Sequence, residues 1–270
     1  MRLSHAAAPL FVAAANNLTK RGVSLILDSM FHAYDKAGDI SYALGAFPTV
    51  ELVRRRPDDV VAVALHSKFR MTEEVEEALS PVRDRVYVSD RDVERVAKKG
   101  NTFVVGAFRK RFFPFGRRTH VCLVRPSDAG NLGTIMRTML GFGVNALAVV
   151  GDAADVYDPR TVRASMGAVF ALDIALFPDW ETYAAAHDED KYLFMLDGRS
   201  VPLTDVEPRA GERAYVFGNE GSGLSPGLAE AGTPVVIRHS REIDSLNLPQ
   251  AVAIGLYEMT KADFNKPITI

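Results

Sequence analysis

Three short polar stretches carry the residue types that bind and position a ligand. The first is Asn131-Leu132-Gly133-Thr134-Ile135-Met136-Arg137, the second Gly218-Asn219-Glu220-Gly221-Ser222-Gly223, the third Ser245-Leu246-Asn247. The first follows an apolar run and opens a helix, where unpaired backbone N–H groups favour an anionic or polar ligand. It is not a dinucleotide fingerprint, because neither G-x-G-x-x-G nor a Walker lysine is present. Arg137 lies four residues from Gly133 on one helix face, and a glycine there lets another backbone come close. Taken alone, Arg137 reads first as a solvated helix arginine. Three glycines in the second stretch permit positive φ and close approach of backbone to a ligand. Glu220 sits among them as a positioned carboxylate, although a plain flexible turn has the same composition. Ser245 and Asn247 flank Leu246 at the start of the last helix, where helix capping alone would account for them. The preceding loop, Arg238 to Asp244, is crowded with charge.

The elements that must hold these stretches alternate between strand and helix. In the back half, strands are expected at Val121–Val124, Ala146–Val150, Ile174–Phe177, Tyr192–Leu196, Tyr215–Phe217 and Pro234–Ile237. Helices are expected at Leu132–Leu140, Arg160–Met166, Trp180–Ala186, Leu228–Ala231 and Leu248–Phe264. That order predicts an α/β domain with a parallel sheet and helices on both faces. In the front half, Val60–Leu65, Val86–Val88 and Thr102–Val105 read as strands. Helices are expected at Thr49–Arg56, at Thr72–Leu79 with a capping threonine, and from Ser89-Asp90 to Lys99-Gly100. A further helix is expected over Leu18–Ala37. The expected division is an N-terminal α/β domain over residues 1–107, a linker over 108–118 and a second domain over 119–270.

The linker Phe108 to Arg118 interleaves arginine and lysine with four phenylalanines. Its rings are expected to dock on the neighbouring domain, and some of its arginines to meet nucleic-acid phosphates. Net charge is only −2, but residues 1–118 hold 20 Lys+Arg against 14 Asp+Glu, and the remainder 12 against 20. A basic front half fits an anionic partner. The single cysteine, Cys122, excludes an internal disulfide and reads as a buried strand residue. The six histidines show no metal-ligand spacing, so no metal is expected. No stretch approaches the roughly 20 apolar residues of a membrane span. Ala6–Ala15 is a poor signal peptide behind a lone arginine, so a cytoplasmic protein is expected.

In order and spacing, the three stretches resemble the signature motifs of the TrmH-type SPOUT RNA methyltransferases. Asn131, Gly133 and Arg137 match the Asn-x-Gly-x-x-x-Arg helix start; Gly218, Glu220, Gly221 and Gly223 match the glycine-rich loop; Ser245, Leu246 and Asn247 match the Ser-Leu-Asn helix start. Arg163 to Ala168 also resembles a stretch common in that family. The likeness covers about residues 119–264. More loosely, residues 41–107 resemble the small RNA-binding α/β domain that often precedes it.

The resemblance implies a deep trefoil knot, S-adenosylmethionine bound within it, a homodimer, and methyl transfer to a ribose 2′-hydroxyl of tRNA or rRNA. It implies Arg137 at the hydroxyl, with Asn131, Glu220, Ser245 and Asn247 orienting it and the ribose. It further implies that Gly218, Asn219, Glu220, Gly221, Ile237, Ser245 and Leu246 line the methyl donor, with Leu196 and Asp197 near its adenosine. The run Ile237-Arg238-His239-Ser240-Arg241 departs from the family's Ile-Pro-Met pattern, and Pro249 stands where a small residue is common. That departure keeps a second expectation open, a non-catalytic RNA-binding or ribosome-assembly protein with the same fold.

Overall fold

A computed structural model of the chain describes residues 31–97, 101–240 and 242–264. It divides into two compact units, Met1–Lys110 and Arg111–Ile270.

The first unit is a four-stranded sheet, β1 (Ile40–Leu44), β2 (Val60–Leu65), β3 (Val86–Val88) and β4 (Val104–Arg109), in the order β1-β4-β2-β3. β4 runs antiparallel to both β1 and β2, while β2 and β3 are parallel. Three helices join it: α1 (Ala46–Arg55), α2 (Glu73–Leu79) and α3 (Asp90–Val96). The Thr72 hydroxyl accepts from the Val75 N–H and the Ser89 hydroxyl from the Asp92 N–H, the N-caps the sequence announces. α1 packs so closely on β4 that a side chain at Gly106 would come within 2.9 Å of Thr49.

Two expectations fail in this unit. β4 starts and ends later than Thr102–Val105, because Phe108 is only 1% exposed and pairs with Ser41. The strand therefore takes the first residues assigned to the linker. β1 was not foreseen, since ISYAL alternates too weakly to stand out from its surroundings. The helix expected over Leu18–Ala37 falls largely outside the described residues, and residues 31–37 are not helical.

The second unit is a seven-stranded sheet ordered β7-β6-β5-β10-β8-β11-β9, parallel throughout. Its strands are β5 (His120–Val124), β6 (Ala146–Val150), β7 (Asp173–Phe177), β8 (Asp190–Phe194), β9 (Val201–Pro202), β10 (Arg213–Phe217) and β11 (Thr233–Val236). Its helices are α4 (Ala129–Gly141), α5 (Pro159–Ala164), α6 (Trp180–Ala186) and α7 (Leu248–Thr260). Only the two-residue β9 lacks a counterpart in the sequence reading. The segment expected as a helix at Leu228–Ala231 forms a short 3-10 turn over Pro226–Ala231.

Alternation along the strands shows which helices cover which face. Cys122, Ala148, Leu193 and Val216 cluster with Tyr183 of α6 on one side. Phe194 and Phe217, one residue further along their strands, stack at 4.2 Å on the other and press against Gly255 of α7. A side chain at Gly255 would lie 2.8 Å from the Phe194 ring, so α7 can seat only with a glycine there. Gly133 serves the same end on α4: a Cβ would lie 2.5 Å from the Thr161 carbonyl of α5.

The segment Arg111–Arg118 belongs to this unit. Phe112 packs on Tyr157, and Phe115 packs on His120 and His187. Arg117 reaches Asp188 at 3.3 Å and Arg118 reaches Asp173 at 2.6 Å. The rings dock on the domain as expected, and these two arginines already have intramolecular carboxylates.

At the N-terminal ends of the strands, tertiary structure gathers two histidines that sequence spacing kept apart. His120, His187 and Glu189 bring ligand-type atoms within 4.8 Å of one another, all buried. The His120 Nδ1 sits 2.8 Å from the Arg118 carbonyl, which can only accept, so Nδ1 carries the hydrogen. Its Nε2 then accepts from the Tyr183 hydroxyl at 2.7 Å. The Glu189 carboxylate accepts from the Arg118 N–H at 3.0 Å and lies 3.3 Å from His187 Nδ1. Both nitrogens of His120 are thus engaged within the protein as a neutral ring.

Burial pushes the His120 pKa from 6.5 down to about 4. Below pH 6.5 the unfolded chain therefore takes up a proton that the folded chain refuses, and stability falls with pH. Melting temperature is expected to drop as pH is lowered from 6.5 to about 5, which stays above the ordinary carboxylate range, with a stability loss of on the order of 1–2 kcal/mol. His120→Gln keeps one donor and one acceptor without the titration, so its melting temperature is expected to stay flat over that window.

Candidate active site

The C-terminal ends of β8, β10 and β11 and the start of α7 enclose a cavity of about 340 Å³. Open parallel sheets place ligands at this edge. Phe194, Phe217 and Val235 form an apolar floor, and backbone of the glycine-rich loop forms one wall. Ile237, Ser245 and Leu246 line the opposite side.

The glycine-rich loop folds back sharply on itself. Asn219 and Gly223 form an isolated antiparallel bridge, with the Gly223 N–H donating to the Asn219 carbonyl at 2.9 Å. A Cβ on Gly218 would meet the Gly223 carbonyl carbon at 2.2 Å, which no relaxation of a flexible side chain can relieve. The Asn219 carboxamide oxygen accepts from the N–H groups of Gly221 and Ser222 at 2.9 and 3.1 Å. Asn219 is therefore the internal brace of the loop, a role its neighbouring glycines conceal in the sequence.

Glu220 joins the loop to the first motif. Its carboxylate accepts from the Ser127 N–H at 3.0 Å, the Ser127 hydroxyl at 2.8 Å, the Asp128 N–H at 3.3 Å and the Asn131 side chain at 3.2 Å. Burial alone would raise its pKa, but the bonds from Ser127, from its own backbone N–H and from Asn131 outweigh that and hold it below the usual range. Glu220 is an ionised clasp with its lone pairs filled, and is poorly placed to take a proton. Asn131 itself is held by the N-cap residue of α4, since its N–H donates to the Asp128 carboxylate at 2.7 Å.

The cavity lining includes Leu196, Gly218, Asn219, Glu220, Gly221, Ile237, Ser245 and Leu246, eight of the residues singled out from sequence. Asn131 reaches the site through Glu220. Asp197 does not line it; its carboxylate accepts from the Arg199 N–H and Nε, each at 2.9 Å. Asn247 is the N-cap of α7 by its backbone, but its side chain makes no capping bond and is exposed, so capping does not account for its amide. Arg137 is exposed on α4, lies outside the lining, and its guanidinium makes no hydrogen bond or ion pair among the described residues. Arg241 lies outside the described residues, and Arg238 is exposed and outside the lining. Sequence reasoning passed over Phe194 in the floor, and gave no role of their own to Phe217 or to the rim residues His239 and Asp244, which stand in stretches it had singled out. The floor had a signal: an aromatic residue closes each of two strands that end at the cavity.

A parallel α/β sheet with a glycine-braced cavity at its C-terminal edge is the arrangement of a small-ligand-binding domain. The SpoU rRNA Methylase family matches residues 118–257, and the chain belongs to that family. Among curated relatives, a 23S rRNA uridine 2′-O-methyltransferase of Streptomyces viridochromogenes is 46% identical over 148 residues, covering 51% of this chain and 50% of that one. The chain spans about half the length of the curated relatives it matches first. Among solved structures, an rRNA methyltransferase from Sinorhizobium meliloti with AdoMet bound superposes with a TM-score of 0.71 at 26% identity, covering 83% of this chain and 88% of that one. The methyltransferase AviRb of Streptomyces viridochromogenes shares the fold with a TM-score of 0.69 at 23% identity, over 95% and 98% of the two chains. Among the described residues no helix is long and apolar enough to cross a membrane.

The clasp and the tight loop are separable by mutation. Gly218→Ala is expected to lower stability by about 2 kcal/mol or more in urea unfolding, since backbone must move. Glu220→Gln replaces one acceptor oxygen with a donor, which then faces either the Ser127 or the Asp128 N–H, and is expected to lower stability by about 1–3 kcal/mol.

Proposed function

We propose that the chain is an S-adenosylmethionine-dependent RNA methyltransferase that acts on a ribose 2′-hydroxyl of rRNA or tRNA. The observation that carries this reading is the convergence of the glycine-rich and Ser-Leu-Asn stretches on one cavity, with the Asn131 stretch clasped to it by Glu220. The relatives named as 2′-O-methyltransferases of ribosomal RNA support it. A cavity of about 340 Å³ with an apolar floor and exposed loop backbone suits an adenosine-bearing ligand. The bound donor would supply a methyl group on a sulfonium, which needs little further activation.

The residues must then position the acceptor oxygen and ease loss of its proton. Glu220 is already committed to the clasp, which leaves it a positioning part. Arg137 stabilises the developing alkoxide as a fixed cation, since an arginine stays charged at neutral pH. Ser245 and the uncapping amide of Asn247 orient the ribose. The exposed Arg238 leaves the cavity open, which weighs against a purely RNA-binding protein. The α/β unit of residues 40–109 selects the RNA, and the protein acts in the cytoplasm.

The chain works as a homodimer, with its last segment threaded through the preceding loops as in the family it resembles. Ile254 and Tyr257 on α7 are exposed, and Tyr257 packs against Phe142 beyond the end of α4. An exposed apolar face on the helix pair that carries Arg137 is a surface for a second copy. Pairing there gives an arginine outside its own chain's cavity a route to an acceptor. Tyr257→Asp is expected to shift the protein from dimer to monomer in sedimentation and to abolish turnover.

Methyl transfer from labelled S-adenosylmethionine to ribosomal and transfer RNA tests the reading. Arg137→Ala is expected to lower turnover at least 100-fold with donor affinity in calorimetry unchanged. A wild-type protein that binds RNA but no S-adenosylmethionine would instead be the non-catalytic alternative, and a methylated base would move the reaction elsewhere in the superfamily.

A further inference from the structure

Arg125, the residue that follows β5, adopts φ +54°. Only Arg125 and Met166 among the described non-glycine residues have positive φ. That backbone region disfavours any residue with a Cβ and is neutral for glycine. The conformation is pinned from both sides: the Arg125 N–H donates to the Val150 carbonyl at 2.8 Å, and its carbonyl accepts from the Asn219 side chain at 2.8 Å. Asn219 is the brace of the glycine-rich loop and lines the cavity.

The neighbour accommodates the side chain as well. Gly151 follows β6, and a Cβ there would lie 2.9 Å from the Arg125 Cγ. The arginine stem therefore crosses backbone that stays bare at that point. Its head gains nothing from the fold: the residue is exposed, and its guanidinium makes no hydrogen bond or ion pair among the described residues. Arg117, Arg118 and Arg160, by contrast, all reach carboxylates within 3.4 Å. Packing and ion pairing thus give no reason for an arginine where glycine would relax the chain. Strain of this kind clusters at functional sites.

We infer that Arg125 is a phosphate-binding residue, holding the backbone of the substrate RNA beside the cavity. Two residues on, Ser127 bonds the Glu220 clasp, so a phosphodiester on Arg125 is tied to the same braced loop that forms the cavity wall. The planar guanidinium suits two phosphate oxygens at once. Arg125 is a positioning residue: it fixes where the RNA lies, and takes no part in the transfer. The inference rests on the reading of the chain as an RNA methyltransferase.

The test uses the full chain, fragmented ribosomal RNA as probe, and filter binding across a salt series. Arg125→Gly is expected to melt at or above the wild-type temperature and to bind S-adenosylmethionine unchanged. Its RNA affinity is expected to fall about 3–10-fold, with the slope of log affinity against log salt shallower by roughly 0.7–0.9, the loss of one phosphate contact. Arg125→Gln, which keeps the stem and the strain, is expected to lose RNA affinity equally, and Arg125→Lys to recover part of it. Unchanged RNA affinity and salt slope in both the glycine and glutamine variants would overturn the inference while leaving the methyltransferase reading intact. Wild-type protein that binds no RNA would overturn both. A glycine variant that melts well below wild type would show that the arginine serves the fold, and would also overturn it.

Discussion

The second unit depends on one carboxylate that draws donors from two loops. Glu220 takes hydrogen bonds from Ser127, Asp128 and Asn131, so the loop after β10 is welded to the loop after β5. β5 and β10 are neighbours in the sheet, in register from His120–Ala214 to Leu123–Phe217. The clasp thus completes, beyond the strand ends, a pairing that the sheet begins. Without it, the two loops would each have to order alone, the glycine-rich one at the added conformational cost that glycine carries.

The same constraint decides how the chemistry is divided. A carboxylate surrounded by donors is held ionised, and its lone pairs are occupied. It can position Asn131 and the loop backbone, but it is no base. On the proposed reading, the charge that assists a reacting hydroxyl must come from elsewhere, and Arg137 on α4 and the uncapping amide of Asn247, both exposed, are among the side chains without a bond among the described residues. Rigidity sits in the cavity wall, and the cations stand outside it. On the proposed reading, this arrangement suits a large anionic substrate approaching an enclosed small donor.

The opposite end of the sheet follows a different logic. His120, Tyr183, His187 and Glu189 form a buried polar knot packed by Phe115, Phe177 and Trp180. Its members satisfy one another, apart from one Glu189 oxygen without a partner among the described residues. It closes the end of the domain where the chain enters, and separates that entry from the cavity by the length of the strands.

Much of the architecture was legible in the residues themselves. Apolar runs such as Val60–Leu65 and Ala146–Val150 are strands because period and β-branching agree, and Thr72 and Ser89 cap helices where their hydroxyls predict. The three motif stretches were recognisable by type and spacing, because glycine and a lone carboxylate among glycines leave few structural alternatives. Other features needed the folded chain. β1 has no strong pattern of its own and exists because β4 lies beside it. The pairing of His120 with His187 joins residues 67 positions apart. Whether Glu220 was a positioned carboxylate or part of a plain turn, whether the Asn247 side chain capped its helix, and which arginines were already paired all depend on groups brought from distant chain, whose distances local sequence does not encode.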